Sequence, residues 1–286
     1  MRELLNTNTK LLKTIDGFNF LIRGLSLAPA NFSGHEVCAW RGACSEICSL
    51  WFSGRTVTAS VRNAAIERAQ LFFNDRPSFI RQLCAEIVLA GCKAAEQEAQ
   101  LLIRLNTASD IVWERIAPQV LEVVSSVGGI AYDYTKARPT QRATLPNGYH
   151  LSHSVHEKTT MADIRNAIDM GRNVVPVIAA RYQANGKAEH HKFGMLPESI
   201  RFVSGSDEFY LPCVDGDKID ARIPAVDGQG VAVVLRGKGG RAKVKQGVEG
   251  GFIFPVSDWQ HGDKYASTLE ESGIVKGTLL TCHLSA

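Results

Sequence analysis

The chain of 286 residues is long enough for one large domain or two small ones, and too long for a small disulfide-stapled fold. Hydrophobic residues make up 45% of it and charged residues 21%, which is ordinary globular usage and excludes wholesale disorder. A formal net charge of +3 is too small to predict nucleic-acid binding by itself. Apolar runs fall short of the roughly 20 residues of a bilayer span, and the N-terminal stretch lacks a signal-peptide core. We therefore expect a soluble, cytoplasmic protein with no membrane partner.

Short apolar strands alternate with helical patterns along the first 180 or so residues. Helix starts are predicted at Asn74-Asp75, with Pro77 in the first turn, and at Thr160, with Asp163 three residues later. The predicted elements are, in chain order, a strand at 20–27, helices at 61–73 and from 75 to about 100, a strand at 101–105, a helix up to Gly128, strands at 130–134 and 149–152, a helix at 160–171, and strands at 174–179, 209–214 and 231–235.

This alternation is typical of right-handed βαβ units around a parallel sheet. The predicted fold class is α/β, as a (β/α) barrel or an incomplete barrel, with a β-richer C-terminal third. No convincing linker divides the chain, so we predict a single domain over 1–286, in which 205–286 forms a β-rich extension.

Polar clusters follow the predicted strands, and parallel α/β sheets carry their chemistry at the carboxyl ends of strands. The alternative to a shared site is that these polar residues simply begin the loops after the strands. On the functional interpretation we expect one pocket, with catalytic roles for Asp110, Asp133, Lys136 and His153, and cofactor- or substrate-binding roles for Arg104, Asn106, Asp215 and Arg236.

Seven cysteines form an odd and unevenly spaced set, which favours reduced thiols over a disulfide framework. Cys38, Cys44 and Cys48 have the spacing C-x5-C-x3-C, and three thiolates on one loop can hold an iron–sulfur cluster or a zinc ion. A [4Fe–4S] cluster held by three thiolates keeps one iron open. Zinc needs a fourth ligand, for which His35, Cys213 and Cys282 are the candidates. The alternative is three small buried residues, since free cysteine is often buried.

Two further stretches of the sequence, 215–222 and 236–245, are rich in charged residues. Asp215 and Asp217 suggest calcium only superficially, because an EF-hand needs Glu at the twelfth position, where Val226 stands. These carboxylates either bind a cationic group or pair with Arg222. The basic, glycine-rich stretch 236–245 resembles a phosphate-facing loop or a solvated turn, and it lacks the order of a P-loop.

Several motifs in order carry a resemblance to a known family: Leu25–Asn31, the cysteine-rich loop, Arg104–Glu114, Tyr132–Lys136 and Val214–Asp217. Between about Gly24 and Lys238 the chain resembles a family of phage and plasmid proteins, the gene-88-product-like proteins. That resemblance implies no particular activity.

More distantly, the chain resembles radical-S-adenosylmethionine-like phage proteins. The motif residues are the cysteine cluster followed by Ser109, Asp110, Glu114, Pro118, Thr135-Lys136 and Arg138-Pro139. This resemblance implies a partial or full (β/α) barrel with a [4Fe–4S] cluster held by three cysteines after the first strand. The sequence departs from the pattern, since those enzymes typically use C-x3-C-x2-C and a Gly-Gly-Glu segment that is not found here. Cluster binding is therefore a firmer expectation than S-adenosylmethionine cleavage.

The expected function is an iron–sulfur-dependent, radical-S-adenosylmethionine-like enzyme of a phage or plasmid that acts on a small molecule or nucleic acid. The alternative is a non-catalytic nucleic-acid-binding accessory protein with a structural zinc or no metal. The sequence gives no substrate, reaction or oligomeric state.

Overall fold

The fold is that of a computed structural model, which describes residues 3–7, 11, 17–48, 51, 58–179, 199–238, 241–254 and 279–284. The strands in these ranges are Leu5–Asn6 (β1), Phe20–Leu25 (β2), Gln100–Arg104 (β3), Ile130–Thr135 (β4), Tyr149–Ser154 (β5), Val174–Val175 (β6), Val177–Ile178 (β7), Ser199–Ser204 (β8), Asp207–Asp215 (β9), Ala232–Arg236 (β10), Ile253–Phe254 (β11) and Leu279–His283 (β12).

The helices follow the strands closely in the first half of the chain. They are Ala30–Ser33 (α1), Ala59–Asn74 (α2), Arg76–Glu96 (α3), Trp113–Ile116 (α4), Pro118–Ser126 (α5), Met161–Asp169 (α6), Pro224–Asp227 (α7) and Arg241–Glu249 (α8), with 3-10 turns at Ala43–Ser45 and Pro139–Arg142. The predicted strand–helix alternation is confirmed, so the class is mixed α/β.

The strands form one mostly parallel sheet. Its order is β1-β2-β3-β4-β5-β6-β10-β9-β8-β12, and β7 pairs with both β10 and β11. The pairs β1–β2 and β8–β9 are antiparallel, while the pairs from β2 through to β6, and β10 with its neighbours, are parallel. Among the described strands, β1 and β12 stand at the two ends of this order and do not pair. The sheet is therefore open, and a closed barrel is not found.

The helical face of the sheet holds the largest core. In α3 the residues Phe79, Leu83 and Ile87 recur at helical spacing and are fully buried. Asp75 caps this helix, since its carboxylate accepts the Ser78 N–H at 3.1 Å, as its position before Pro77 predicts. Phe72 of α2 packs edge-on against Phe79, with ring centroids 5.2 Å apart.

The opposite face of the sheet is covered by an irregular segment. Ile219, Ala221 and Ile223 pack there against Ile22, Leu102 and Tyr132 in a separate buried cluster. Parallel sheets are normally covered on both faces, and here the second cover is this segment between β9 and α7. In the described part of the chain, no helix is long and apolar enough to cross a bilayer.

The described part of the C-terminal third holds β8, β9, β10, β11 and β12 together with the helices α7 and α8. The interpretation of 236–245 as a loop or turn is wrong from Arg241 onward, where α8 begins. Helix formation there is stabilised by packing, because Val244 of α8 is buried against Ile47 and Ile253.

Candidate functional site

A cavity of about 220 Å³ opens at the edge where the parallel strands end. Its walls come from the segment after β2 and from the ends of β3, β4, β5, β7 and β10. The polar lining is Cys38, Cys44, Cys48, Arg104, Asn106, Thr107, Ser109, Asp110, Tyr134, Thr135, Lys136, Ser154, Asp217, Arg236 and Lys238. The apolar side chains of the lining, Ile47, Val175, Val177, Leu235, Phe252 and Ile253, come from the cysteine loop and from the strands and segments around β6, β7, β10 and β11.

The predicted site residues divide into two groups around this cavity. Arg104, Asn106, Asp110, Lys136 and Arg236 line it, together with the three clustered cysteines, whereas Asp133, His153 and Asp215 are outside the lining. Side chains in a strand alternate between faces. Asp133 and Tyr134 therefore point to opposite faces of β4, as His153 and Ser154 do in β5, and Tyr134 and Ser154 line the cavity. Thr135, on the same face as Asp133, reaches the cavity because it ends the strand.

The cysteine loop, residues 38–48, is held at both ends. The Asp110 N–H donates to the Val37 carbonyl at 2.8 Å, and the Lys243 ammonium donates to the Glu46 carbonyl at 2.9 Å. The three cysteines carry free thiols. Burial raises the pKa of the Cys38 thiol to about 12, although Lys136 opposes this shift. Without a metal, Cys38 is therefore a neutral thiol at pH 7.

Lys136 follows β4 and lies among the thiols. Its burial works against its charge, but attraction to Cys44, Cys38 and Asp110, with a hydrogen bond to Cys44, raises the pKa of Lys136 above its ordinary value. Its ammonium also lies 5.2 Å from the centroid of the Phe252 ring. Lys136 thus places a lasting positive charge beside the thiols.

Asp110 is 5% exposed and is held by main-chain and side-chain donors. Its Oδ2 accepts the Lys136 backbone N–H at 2.8 Å, and its Oδ1 lies 3.4 Å from Arg142 Nη1. Burial raises the pKa of Asp110, and the Lys136 N–H, the Lys136 charge and the Arg142 charge oppose this. The hydrogen bond that joins Asp110 to Lys136 is therefore made to the main chain, while the Lys136 ammonium turns to Cys44.

Asn106 and Asp133 together fix the loop after β3. Asp133 Oδ1 accepts the Asn106 N–H at 2.6 Å, and Asp133 Oδ2 accepts the Tyr149 hydroxyl at 3.0 Å. Asn106 Oδ1 accepts from Ser109 Oγ at 2.7 Å and from the Ile111 N–H at 2.9 Å. Burial raises the pKa of Asp133 to about 7, against these hydrogen bonds and nearby arginines. These contacts give Asp133 a scaffolding position behind the cavity.

Arg104 is the buried cation on the β3 side. Its Nη1 donates to Asp220 Oδ1 at 2.9 Å and to Oδ2 at 2.7 Å, and its guanidinium carbon lies 4.6 Å from the Tyr134 ring centroid. Asp220 belongs to the segment between β9 and α7, which covers the face of the sheet opposite the main helical core. The Arg104 charge is therefore already paired, and Arg104 offers a ligand the remaining edge of its guanidinium.

Arg236 forms an ion network on the β10 side. Its guanidinium contacts Asp215 at 2.8 Å and Asp217 at 3.2 Å, and Lys238 contacts Asp217 at 3.0 Å. Of the two alternatives for Asp215 and Asp217, pairing with Arg222 is wrong, because Arg222 pairs with Asp227 at 3.1 Å. Arg236 and Lys238, at the start of the basic stretch 236–245, are thus ion-paired with carboxylates. Their pairing weakens the interpretation of this stretch as a phosphate-facing loop.

The family of the chain is decided by its match to a family model. The model for gene product 88 matches residues 2–250. The chain belongs to the gene product 88 family. No curated protein and no solved structure matches it significantly. The resemblance to gene-88-product-like proteins that the sequence predicts is thereby confirmed. A relation to radical-S-adenosylmethionine proteins is not shown.

In this gene product 88 family member, three charged residues outside the lining of the cavity contact its walls or the cysteine loop, and none of them was predicted from the sequence: Arg142, Asp220 and Glu157. Arg142 is 1% exposed, and it contacts Glu114 Oε2 at 2.6 Å beside Asp110. Asp220 pairs with Arg104, and Glu157 accepts the Ala43 N–H at 3.0 Å. Arg142 follows the Arg138-Pro139 motif closely, which is a signal that could have found it. The pairings of Asp220 and Glu157 have no signal in the neighbouring sequence, because their partners lie 116 and 114 positions away in the chain.

No metal site is preformed among the residues that the structure describes. In the ranges described, no group of three or more His, Cys, Asp or Glu side chains is arranged to hold a metal ion. The candidates for a fourth zinc ligand lie elsewhere: the His35 ring stacks on Phe73 at 4.5 Å, and Cys213 and Cys282 belong to the core around β8, β9 and β12. A four-ligand zinc site with any of them does not fit this arrangement.

Proposed function

We propose that this protein is an enzyme that binds an iron–sulfur cluster through Cys38, Cys44 and Cys48 and acts on a small molecule in the adjoining cavity. One observation carries the proposal. The three thiols line the same cavity as Arg104, Lys136 and other polar groups at the carboxyl edge of a parallel sheet. Enzymes built on such sheets place their reacting groups at this edge.

The donor set fits a cluster in its chemistry. Three thiolates are soft ligands of the kind that hold iron–sulfur clusters, and they leave one iron open to a substrate or second ligand. The Lys136 ammonium would offset part of the negative charge that collects on the thiolates. Because no ready-made metal group exists among the described side chains, binding requires the three thiols to turn toward one another.

The surrounding residues would bind and orient the substrate. A bound cluster would supply electron transfer. Arg104, at the carboxyl end of β3, and Ser154, at the carboxyl end of β5, offer hydrogen-bond donors to polar groups of the substrate. The apolar wall around Val177 and Phe252 excludes water from the other side of the cavity. Lys136, with donor hydrogens on a flexible stem, is the group best placed to hold a proton near bound substrate.

An incomplete barrel is part of the same proposal. The parallel strands β2, β3, β4, β5 and β6 are adjacent in chain order, and β10 follows them. In a flat sheet, the ends of β3 and β10 would lie about 19 Å apart at four strand spacings. Residues after both strands line one cavity of about 220 Å³, which supports a sheet that curls around it.

S-adenosylmethionine is the candidate second ligand for two reasons. The chain distantly resembles radical-S-adenosylmethionine-like phage proteins, and a [4Fe–4S] cluster held by three thiolates would leave one iron open to a ligand. Its binding has a separate test, which is a change in the electron paramagnetic resonance spectrum of the reduced cluster when S-adenosylmethionine is added. The nucleic-acid-binding alternative gains no support from Arg236 and Lys238, which are ion-paired. Lys10 and Lys13, with which the basic stretch could form a nucleic-acid-facing patch, lie outside the described residues.

Anaerobic purification and reconstitution test the cluster. We expect a brown protein with about four iron per chain, as a [4Fe–4S] cluster requires. The triple variant Cys38→Ser/Cys44→Ser/Cys48→Ser should lose iron and colour, whereas Cys92→Ser, a change of an exposed thiol on α3, should keep both. A folded, colourless wild-type protein without iron would overturn the proposal. Zinc found in it at one ion per chain would favour the structural-zinc alternative.

A further inference from the structure

Glu157 links the loop after β5 to the cysteine loop. Its Oε1 accepts the backbone N–H of Ala43 at 3.0 Å, although the two residues are 114 positions apart in the chain. Ala43 begins the 3-10 turn Ala43–Ser45, which contains Cys44. The Glu157 side chain is 20% exposed, so this hydrogen bond to a carboxylate is largely shielded from water.

Glycines make room for this carboxylate. A Cβ on Gly42 would overlap Glu157 Oε1 and lie 2.9 Å from Glu157 Cδ, so any side chain there would push the carboxylate away. A Cβ on Gly251 would lie 3.2 Å from Glu157 Cβ, and one on Gly250 would lie 2.7 Å from Ala43 Cβ. The cysteine loop, the loop after β5 and the turn after α8 therefore meet at a junction that larger residues would disturb.

We infer that Glu157 is a positioning residue that fixes the Ala43–Ser45 turn and thereby holds Cys44 in the cavity. The inference deepens the proposed function, on which its relevance to the cluster rests. The far end of the cysteine loop has its own support, since Ile47 packs against Val244 and Ile253 and Lys243 donates to the Glu46 carbonyl. Glu157 supplies the corresponding support at the beginning of the turn.

Four variants test this role: Glu157→Ala, Glu157→Gln, Gly42→Ala and the double variant Gly42→Ala/Glu157→Ala. The first readout is the rate at which iodoacetamide alkylates Cys44 in the metal-free protein at fixed pH, followed by peptide mass spectrometry. Cys92, which is exposed on α3, is the internal control in every sample. The second readout is the iron retained after anaerobic reconstitution.

Loss of a hydrogen bond to a charged group should free the turn, so Glu157→Ala should speed Cys44 alkylation by about tenfold or more. Glu157→Gln keeps an amide oxygen that accepts the Ala43 N–H, and it should stay within about twofold of wild type. Gly42→Ala should resemble Glu157→Ala, because it displaces the same carboxylate. In the Glu157→Ala background, Gly42→Ala should add nothing, since the atoms that it would strike are gone.

The iron readout separates the two ideas. Glu157→Ala and Gly42→Ala should lower retained iron, and Glu157→Gln should restore it. If wild type takes up no iron but the alkylation pattern holds, the proposed cluster fails and the positioning role stands. If wild type takes up iron but Glu157→Ala leaves Cys44 alkylation unchanged, or Gly42→Ala acts equally in both backgrounds, the positioning role is overturned. Should Glu157→Ala fail to fold, Glu157→Gln and Gly42→Ala still decide.

Discussion

The buried ion pair between Arg104 and Asp220 gives the sharpest stability prediction. Its side chains are 8% and 1% exposed, and one guanidinium nitrogen contacts both carboxylate oxygens. In Asp220→Ala the Arg104 charge stays buried without its carboxylate, and removal of one partner of such a pair costs about 3–5 kcal/mol. The Tyr134 ring beneath the guanidinium retains part of the attraction, so we expect a loss of about 3 kcal/mol.

Urea unfolding followed by circular dichroism measures this loss. A decrease of about 3 kcal/mol should lower the unfolding midpoint by about 1 M or more at ordinary urea dependence. The exposed pair Arg165–Asp207, with side chains 44% and 51% exposed, is the matched control. Asp207→Ala should change stability by no more than about 1 kcal/mol.

A double change separates a lost attraction from a stranded charge. Arg104→Met/Asp220→Leu removes both charges and fills the space with apolar atoms, so it should be more stable than Asp220→Ala alone. An Asp220→Ala variant within about 1 kcal/mol of wild type would refute the reasoning. So would a double variant that is less stable than the single one, because the penalty would then come from lost packing.

Two further predictions concern pH and helix capping. Burial, and after it the charge of the neighbouring His156, lowers the pKa of His153 to about 4. The folded protein therefore favours neutral His153. The resulting contribution to the free energy of unfolding is complete above about pH 6.5 and is lost as the pH falls toward 4. Between pH 7 and 4.5 the wild type should therefore lose about 2–3 kcal/mol more stability than His153→Gln in urea titrations, and parallel curves would contradict this. Thr160 Oγ1 accepts the Asp163 N–H at 3.3 Å and caps α6, so Thr160→Ala should cost about 1 kcal/mol in thermal unfolding. Thr160→Ser should cost less, and equal losses would show that the cap hydroxyl is unimportant.

The elements that depend on neighbouring residues could be predicted from the sequence. The spacing of Phe79, Leu83 and Ile87 predicts the buried face of α3, and Thr160 with Asp163 predicts the start of α6. Helix caps and amphipathic faces form between residues a few positions apart, so their signals are present in a short window of sequence. The helix Arg241–Glu249 escaped prediction because its stability comes from packing on the cysteine loop and β11.

For the site, the strand ends could be predicted from the sequence, but the face that each side chain presents to the cavity could not. Polar residues at strand ends do gather at one edge, and Arg104, Asp110 and Lys136 reach the cavity. Asp133 and His153 stand on the other face, beside residues that do line it. The two-residue period of a strand separates Asp133 from Tyr134 and His153 from Ser154, but it does not give the face that meets the cavity, and Thr135, on the same face as Asp133, lines it.

The sequence alone determined the strand–helix order, the carboxyl-edge location of the polar residues and the clustering of three cysteines in one loop. Only the tertiary structure decided which charges are paired and what holds the loop. Arg104 and Asp220 are 116 positions apart, and Glu157 and Ala43 are 114 apart. Contacts of this kind depend on the strand order, which brings distant segments together, and no short window of sequence records them.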